Sequence, residues 1–107
     1  MNLPGVVSDL VEAQNNFDSV TYANCFSETA VVYDEGKTHK GRKEIELWIK
    51  ESNEKYQSVM KPLEYTGNGT SSVLSVECSG TFPGSPIILK FHFDIIDGQI
   101  QHLQVTS

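Results

Sequence analysis

The stretch Ile87–Val105, IILKFHFDIIDGQIQHLQV, sets the architecture. From Ile87 to Ile96, Leu89, Phe91, Phe93 and Ile95 alternate with Lys90, His92 and Asp94, the period of a strand with one apolar face. Asp97-Gly98 is a two-residue turn signal, and Ile100 to Val105 continues as an antiparallel partner. A hairpin this apolar on one side needs a cover. Lys90, His92 and Asp94 are expected on the opposite side, facing solvent or an interface.

Strand signals extend toward the N-terminus. Val73 to Ser79 places Leu74, Val76 and Cys78 on one face, and Gly80-Thr81-Phe82-Pro83-Gly84-Ser85-Pro86 is a rigid, turn-rich connector. Leu63 and Tyr65 alternate with polar residues up to Gly67-Asn68-Gly69, a second hairpin signal. Before Leu63 the pattern is largely helical. Pro4 fits a first helical position, followed by Val6, Val7, Leu10, Val11, Ala13 and Phe17. Asp18 offers an N-cap for a shorter helix carrying Val20, Tyr22, Ala23 and Phe26. The run Ala30-Val31-Val32-Tyr33-Asp34-Glu35-Gly36 reads as a strand closed by a turn. A third helix begins near Gly41 and runs to about Tyr56, with Ile45, Trp48, Ile49, Ser52 and Tyr56 on one stripe. Three N-terminal helices and a first strand, then consecutive antiparallel strands, indicate an α+β domain with helices on one face of a curved sheet.

Composition bounds the function. The chain has 107 residues, 38% of them hydrophobic and 9% aromatic, enough for one domain with a substantial core, spanning 1–107. Fourteen acidic residues against eight basic ones leave a net charge of −6, and Arg42 is the single arginine. A phosphate backbone needs clustered Lys and Arg, so nucleic acid is excluded as a partner. No apolar run approaches the roughly 18 residues of a membrane span, and Met-Asn-Leu-Pro-Gly has no secretory character. A cytoplasmic location is expected. Cys25 and Cys78 fit two buried thiols, with one disulfide left open.

In this order the residues resemble the nuclear transport factor 2-like superfamily, and within it the SnoaL-like group. The segments that carry the resemblance are Cys25–Asp34, with its Phe26, acidic turn and strand; Lys40-Gly41-Arg42-Lys43-Glu44-Ile45 with Trp48; and Phe91–Val105. Together they span nearly the whole chain. The resemblance implies a cone, in which a strongly curved mixed or antiparallel sheet wraps the helices and leaves a pocket at the open end. It also implies a homodimer formed through the outer face of the sheet. The family hosts isomerases, cyclases, hydrolases and dehydratases as well as non-catalytic domains, so fold alone does not settle function.

Asp34 is the most informative residue. Ala30, Val32 and Asp34 share one side of an apolar strand, and a carboxylate at the mouth of an apolar pocket loses hydration, which raises its pKa and suits it to proton abstraction. By resemblance it matches the general base of ketosteroid isomerases. The plainer alternative is that it braces the Glu35-Gly36 turn. The same resemblance puts Leu10 where those enzymes carry a donor tyrosine, and Phe91 or His92 where they carry a protonated acid, so a steroid isomerase is not expected. His39, between Lys37 and Lys40, is a weaker catalytic candidate or an exposed loop residue.

Phe26, Tyr33, Trp48, Tyr56, Met60, Phe82, Phe91 and Phe93 are candidates for the pocket wall or simply for the core. No metal-ligand spacing appears, and no phosphate loop, so neither a metal nor a cofactor is expected. Two functional classes stay open. One is a cofactor-independent acid–base enzyme (isomerase, cyclase or dehydratase) acting on a small apolar or carbonyl-containing molecule, with Asp34 as base. The other is a non-catalytic ligand-binding or dimerisation module. An adaptor that uses the outer sheet face is a third, weaker reading.

Overall fold

The computed structural model describes residues 2–107. Its elements are α1 (Gly5–Asn15), α2 (Ser19–Asn24), β1 (Phe26–Asp34), β2 (Lys37–Lys40), α3 (Gly41–Tyr56), β3 (Val59–Asn68), β4 (Ser71–Ser79), β5 (Ile87–Ile96) and β6 (Gln99–Thr106). The six strands form one open sheet in the order β2-β1-β6-β5-β4-β3. β1 and β6 run parallel and every other neighbouring pair is antiparallel. The class is α+β with a mixed sheet. The helices are not all N-terminal, because α3 follows two strands.

Strand β2 is absent from the sequence reading, since Lys37-Thr38-His39-Lys40 is short and has no apolar face. Its cause is the turn before it. Glu35 (φ 52°) and Gly36 (φ 74°) are both left-handed, the two-residue geometry that folds a strand directly back on itself. Asp97 (φ 52°) and Gly98 (φ 76°) repeat that geometry between β5 and β6. In the first hairpin Asp34 pairs with Lys37, and Val32 with His39.

Asp18 caps α2 as its sequence position indicates, its carboxylate accepting from the Thr21 N–H at 3.1 Å and the Thr21 hydroxyl at 2.7 Å. Two boundaries shift. Phe17 is left-handed (φ 54°) and 46% exposed, so it leaves the buried stripe of α1. Phe26 opens β1 instead of closing α2, and there it is fully buried. Its carbonyl accepts from Arg42 Nε at 2.8 Å, tying β1 to α3. At the end of α1, the Asn15 amide pairs with the Met60 backbone, donating to its carbonyl at 3.0 Å and accepting from its N–H at 2.8 Å.

The core lies between the helices and the inner face of the sheet. Val7, Leu10, Phe26, Val32, Ile45, Leu74, Val76, Ile100 and Leu103 are fully buried there. Leu10 is thus a core residue. Cys25 is buried, Cys78 is half-buried, and the two thiols are unpaired.

The connector after β4 closes against the end of α3. The Tyr56 carbonyl accepts from the Thr81 N–H at 2.7 Å and from its hydroxyl at 3.0 Å. This approach requires Gly80, because a Cβ there would collide with the Tyr56 carbonyl oxygen. Gly80→Ala should therefore destabilise the domain by about 1–3 kcal/mol, as overpacking does against backbone. Urea denaturation measures it, and a loss within experimental error would mean that the connector yields freely.

Candidate functional site

At the open end of the sheet, beyond the core, the inner face forms a cavity of about 700 Å³. Every element that reaches it does so by its own periodicity. The inward alternation of β1 through Ala30 and Val32 ends on Asp34 at the cavity edge. α3 contributes Trp48, Ile49, Ser52 and Tyr56 from its buried stripe, and β5 contributes Ile87, Leu89 and Phe91 from alternate positions. Met60 and Cys78, paired across β3 and β4, form part of the wall, and Phe82 covers it from the connector. Phe82 meets Tyr56 edge-on, with ring centroids 6.1 Å apart.

Of the residues singled out in the sequence, Asp34, Trp48, Tyr56, Met60, Phe82 and Phe91 meet at this cavity. Three others do not. Phe26 and Phe93 are core side chains, packed on Tyr22 and Phe91 with centroids 5.7 and 6.2 Å apart. Tyr33, one residue out of phase with Asp34, is 41% exposed on the outer face and packs on His102 at 5.1 Å. His39 also stays outside the cavity. The β1–β2 hairpin turns it back against α3, where its ring stacks on Trp48 at 5.2 Å and 24°. Burial pushes its pKa down, which favours the neutral ring.

The carboxyl of Asp34 is pushed up to about 6, first by burial and next by the neighbouring Glu35 charge. The Glu35 backbone N–H and, more weakly, the Trp48 indole favour the ionised form and offset part of that rise. Cys78 offers no nucleophile here, because burial raises its thiol and favours the protonated form.

Among the lining residues that the sequence does not single out as site residues, two bear directly on the chemistry. Tyr22 looks like an ordinary member of an apolar helical stripe, yet its ring crosses Trp48 at 6.1 Å and lines the cavity. Burial, and then the Asp34 charge, raise its phenol above the ordinary value, so the hydroxyl keeps its proton. Gln14 also lines the cavity and is 6% exposed. Its signal was available: it lies four residues after Leu10 and seven after Val7, a polar residue on a buried stripe.

The outer face of the sheet is mixed, with Ile88 and Tyr33 exposed beside polar pairs. The Ser71 hydroxyl donates to Asp94 at 2.9 Å, His102 lies 3.8 Å from the same carboxylate, and His92 bonds Thr106 at 2.8 Å. Among the described residues no group of three or more His, Cys, Asp or Glu could hold a metal, and no helix is long and apolar enough to cross a membrane.

The architecture has close counterparts among solved structures. A candidate polyketide cyclase from Sinorhizobium meliloti is 35% identical and superposes with a TM-score of 0.93, over 97% of this chain and 95% of that one. The chain belongs to the SnoaL-like group of the nuclear transport factor 2-like superfamily. More distant members of the superfamily share its fold. A protein with a ketosteroid isomerase-like fold from Catenulispora acidiphila, in complex with trimethylamine, is 15% identical, with a TM-score of 0.89 over 99% of this chain and 87% of that one. The epoxide hydrolase/cyclase-like enzyme SalBIII, of pyran ring formation in salinomycin, is 20% identical, with a TM-score of 0.77 over 94% and 85%. No protein-family model matches the chain, and no curated protein does.

The raised Asp34 has a consequence for stability. An ordinary aspartate ionises near 3.8, so between that pH and about 6 the unfolded chain has released a proton that the folded one keeps. Stability from this group is therefore fullest below pH 3.8 and is lost as pH rises through 6. Asp34→Asn should raise the melting temperature at pH 7.5 and leave it nearly unchanged at pH 3.5. Paired thermal melts at the two values check this, and a variant less stable at pH 7.5 refutes a buried, strained carboxylate.

Proposed function

We propose that the cavity binds a small, mostly apolar carbonyl compound and that Asp34 moves a proton on it, with no cofactor. The observation that carries this reading is the Asp34 carboxyl, raised to about 6 at the edge of an aromatic cavity. A base with a pKa near the working pH is available in its ionised form and still strong enough to accept a proton. None of the lining residues is Lys, Arg or His, which disfavours an anionic ligand.

The chemistry follows from two side chains. The ligand carbonyl oxygen accepts a hydrogen bond from the Tyr22 hydroxyl. The Asp34 carboxylate takes a proton from the carbon next to the carbonyl, and the C–H electron pair moves onto the oxygen as an enolate. Tyr22 holds that charge in a site of low dielectric, where a fixed donor counts for more than in water. Asp34, now protonated, can return the proton to a different carbon, which completes an isomerisation. Alternatively the enolate attacks a second carbonyl and the new alkoxide takes the proton from Asp34, which closes a ring, or a β-hydroxyl takes that proton and leaves as water, which is a dehydration.

A second reading rests on the same wall. Asp34 and Glu35 face the rings of Tyr22, Trp48, Tyr56, Phe82 and Phe91, a setting that also suits a small alkylammonium ion held without turnover. One experiment separates the two. Exchange of the C2 protons of 1-tetralone in D2O, followed by NMR, should be accelerated by the protein, rising as pH passes 6. Asp34→Asn should reduce it by about 10²–10⁴-fold. No exchange above buffer, together with a fall in the Asp34 pKa on adding trimethylammonium chloride, would establish the binding role instead.

We also propose a homodimer through the outer sheet face. Ile88 at 59% and Tyr33 at 41% exposure offer apolar contacts there, and Lys90 lies on the same side as Glu77 and Asp94, so two copies can pair opposite charges about a twofold axis. Sedimentation at micromolar concentration should give the dimer mass. A monomer overturns the assignment.

A further inference from the structure

Gln14 is the one neutral amide in the cavity wall, and its orientation is fixed. Its Nε2 donates to Asn53 Oδ1 at 3.0 Å and to the Ser58 backbone carbonyl at 2.6 Å. A backbone carbonyl can only accept, so the NH2 group must face Ser58 and both of its hydrogens are used. That leaves Oε1. Among the described residues no donor engages it, and it is not among the side-chain atoms sealed away without a partner. Gln14 is 6% exposed and lines the cavity, where an acceptor with no partner of its own is available to a ligand.

We propose that Gln14 Oε1 accepts a hydrogen bond from a hydroxyl group of the ligand, and that the natural ligand is therefore an apolar hydroxy-carbonyl compound. The assignment rests on the carbonyl reading of the Asp34–Tyr22 pair and adds a determinant that this pair does not supply. A buried acceptor is the element by which a site prefers an alcohol over the same molecule without the hydroxyl, because the lesser ligand strips water from the acceptor and returns nothing. Gln14 is a specificity-determining residue here. It has no titratable group and takes no part in moving a proton.

The test compares 1-tetralone with a set of hydroxy-1-tetralones bearing the hydroxyl at different ring carbons, by titration calorimetry on the intact protein. At least one hydroxylated member should bind roughly tenfold tighter than 1-tetralone, the scale of one well-made hydrogen bond. In Gln14→Met the ratio of the two affinities should fall to about one. If that variant does not fold, the wild-type spectrum answers the same question. The Gln14 side-chain amide resonances should shift with the favoured hydroxyketone and stay in place with 1-tetralone.

If 1-tetralone binds and no hydroxylated member binds tighter, the hydroxyl assignment is wrong and the carbonyl reading stands. A preference that persists in Gln14→Met, or amide resonances that ignore the hydroxyl, also overturns it. If none of the ketones binds, the carbonyl reading falls and takes this assignment with it.

Discussion

Everything at the open end of the sheet depends on how the last turn of α1 is fastened to the start of β3. Asn15 exchanges two hydrogen bonds with the Met60 backbone, much as a neighbouring strand would. One residue earlier, Gln14 bonds Asn53 on α3 and the carbonyl of Ser58. Two adjacent amides thus join a helix, a second helix and the connector between that helix and the sheet. Neutral amides suit the task. They satisfy backbone groups in a low-dielectric setting without the desolvation cost of a charge. With this joint in place Met60 turns inward, and its buried side chain divides the packed core from the cavity.

The cavity is the continuation of the core past the point where side chains can fill it. The inner face of β1, β4 and β5 is apolar along its length, but α1 and α2 cover only part of it. Over the rest lie α3 and the Gly80–Pro86 connector, which meet at the Tyr56 carbonyl and the Tyr56–Phe82 ring pair. An inward position at the end of such a strand is costly for a carboxylate, and Asp34 occupies one. The raised pKa measures that cost. It is tolerated because the Glu35 N–H and the Trp48 indole favour the ion, and because the rest of the inner face is well packed.

Most of the architecture is legible from two patterns, the alternation in Ile87–Val105 and the stripes on the helices, and these also bring Phe91, Trp48 and Tyr56 to one place, while Asp34, Met60 and Phe82 reach it from β1, β3 and the connector. Where the reading departs from the structure, the reasons are local. Lys37–Lys40 is held as a strand by the left-handed Glu35-Gly36 turn, and its own composition says nothing of it. Phe17 leaves its helix through a left-handed backbone that no glycine announces. Tyr33 and Phe93 are aromatic and nearby in sequence, but a strand sends them to other surroundings. Tyr22 was hidden by its own apolar ring, since nothing in a helical stripe says which member lines a cavity. Gln14 was visible in principle, as a polar residue at a buried spacing.

The residues that did not enter the cavity shape the surroundings of those that did. His39 stacks on one side of Trp48 and Tyr22 crosses it on another, so the indole is held between two rings. Trp48 in turn borders Asp34. A histidine placed this way contributes by packing, and its lowered pKa keeps a neutral ring against the indole instead of bringing a positive charge near Asp34. A cation at that position would favour the ionised carboxylate and draw its pKa back toward the ordinary value. The raised pKa of Asp34 thus depends on burial, on the Glu35 charge and on a lining without Lys, Arg or His. The excess of acidic residues carried by the rest of the chain lies mainly on outer surfaces, where water screens it.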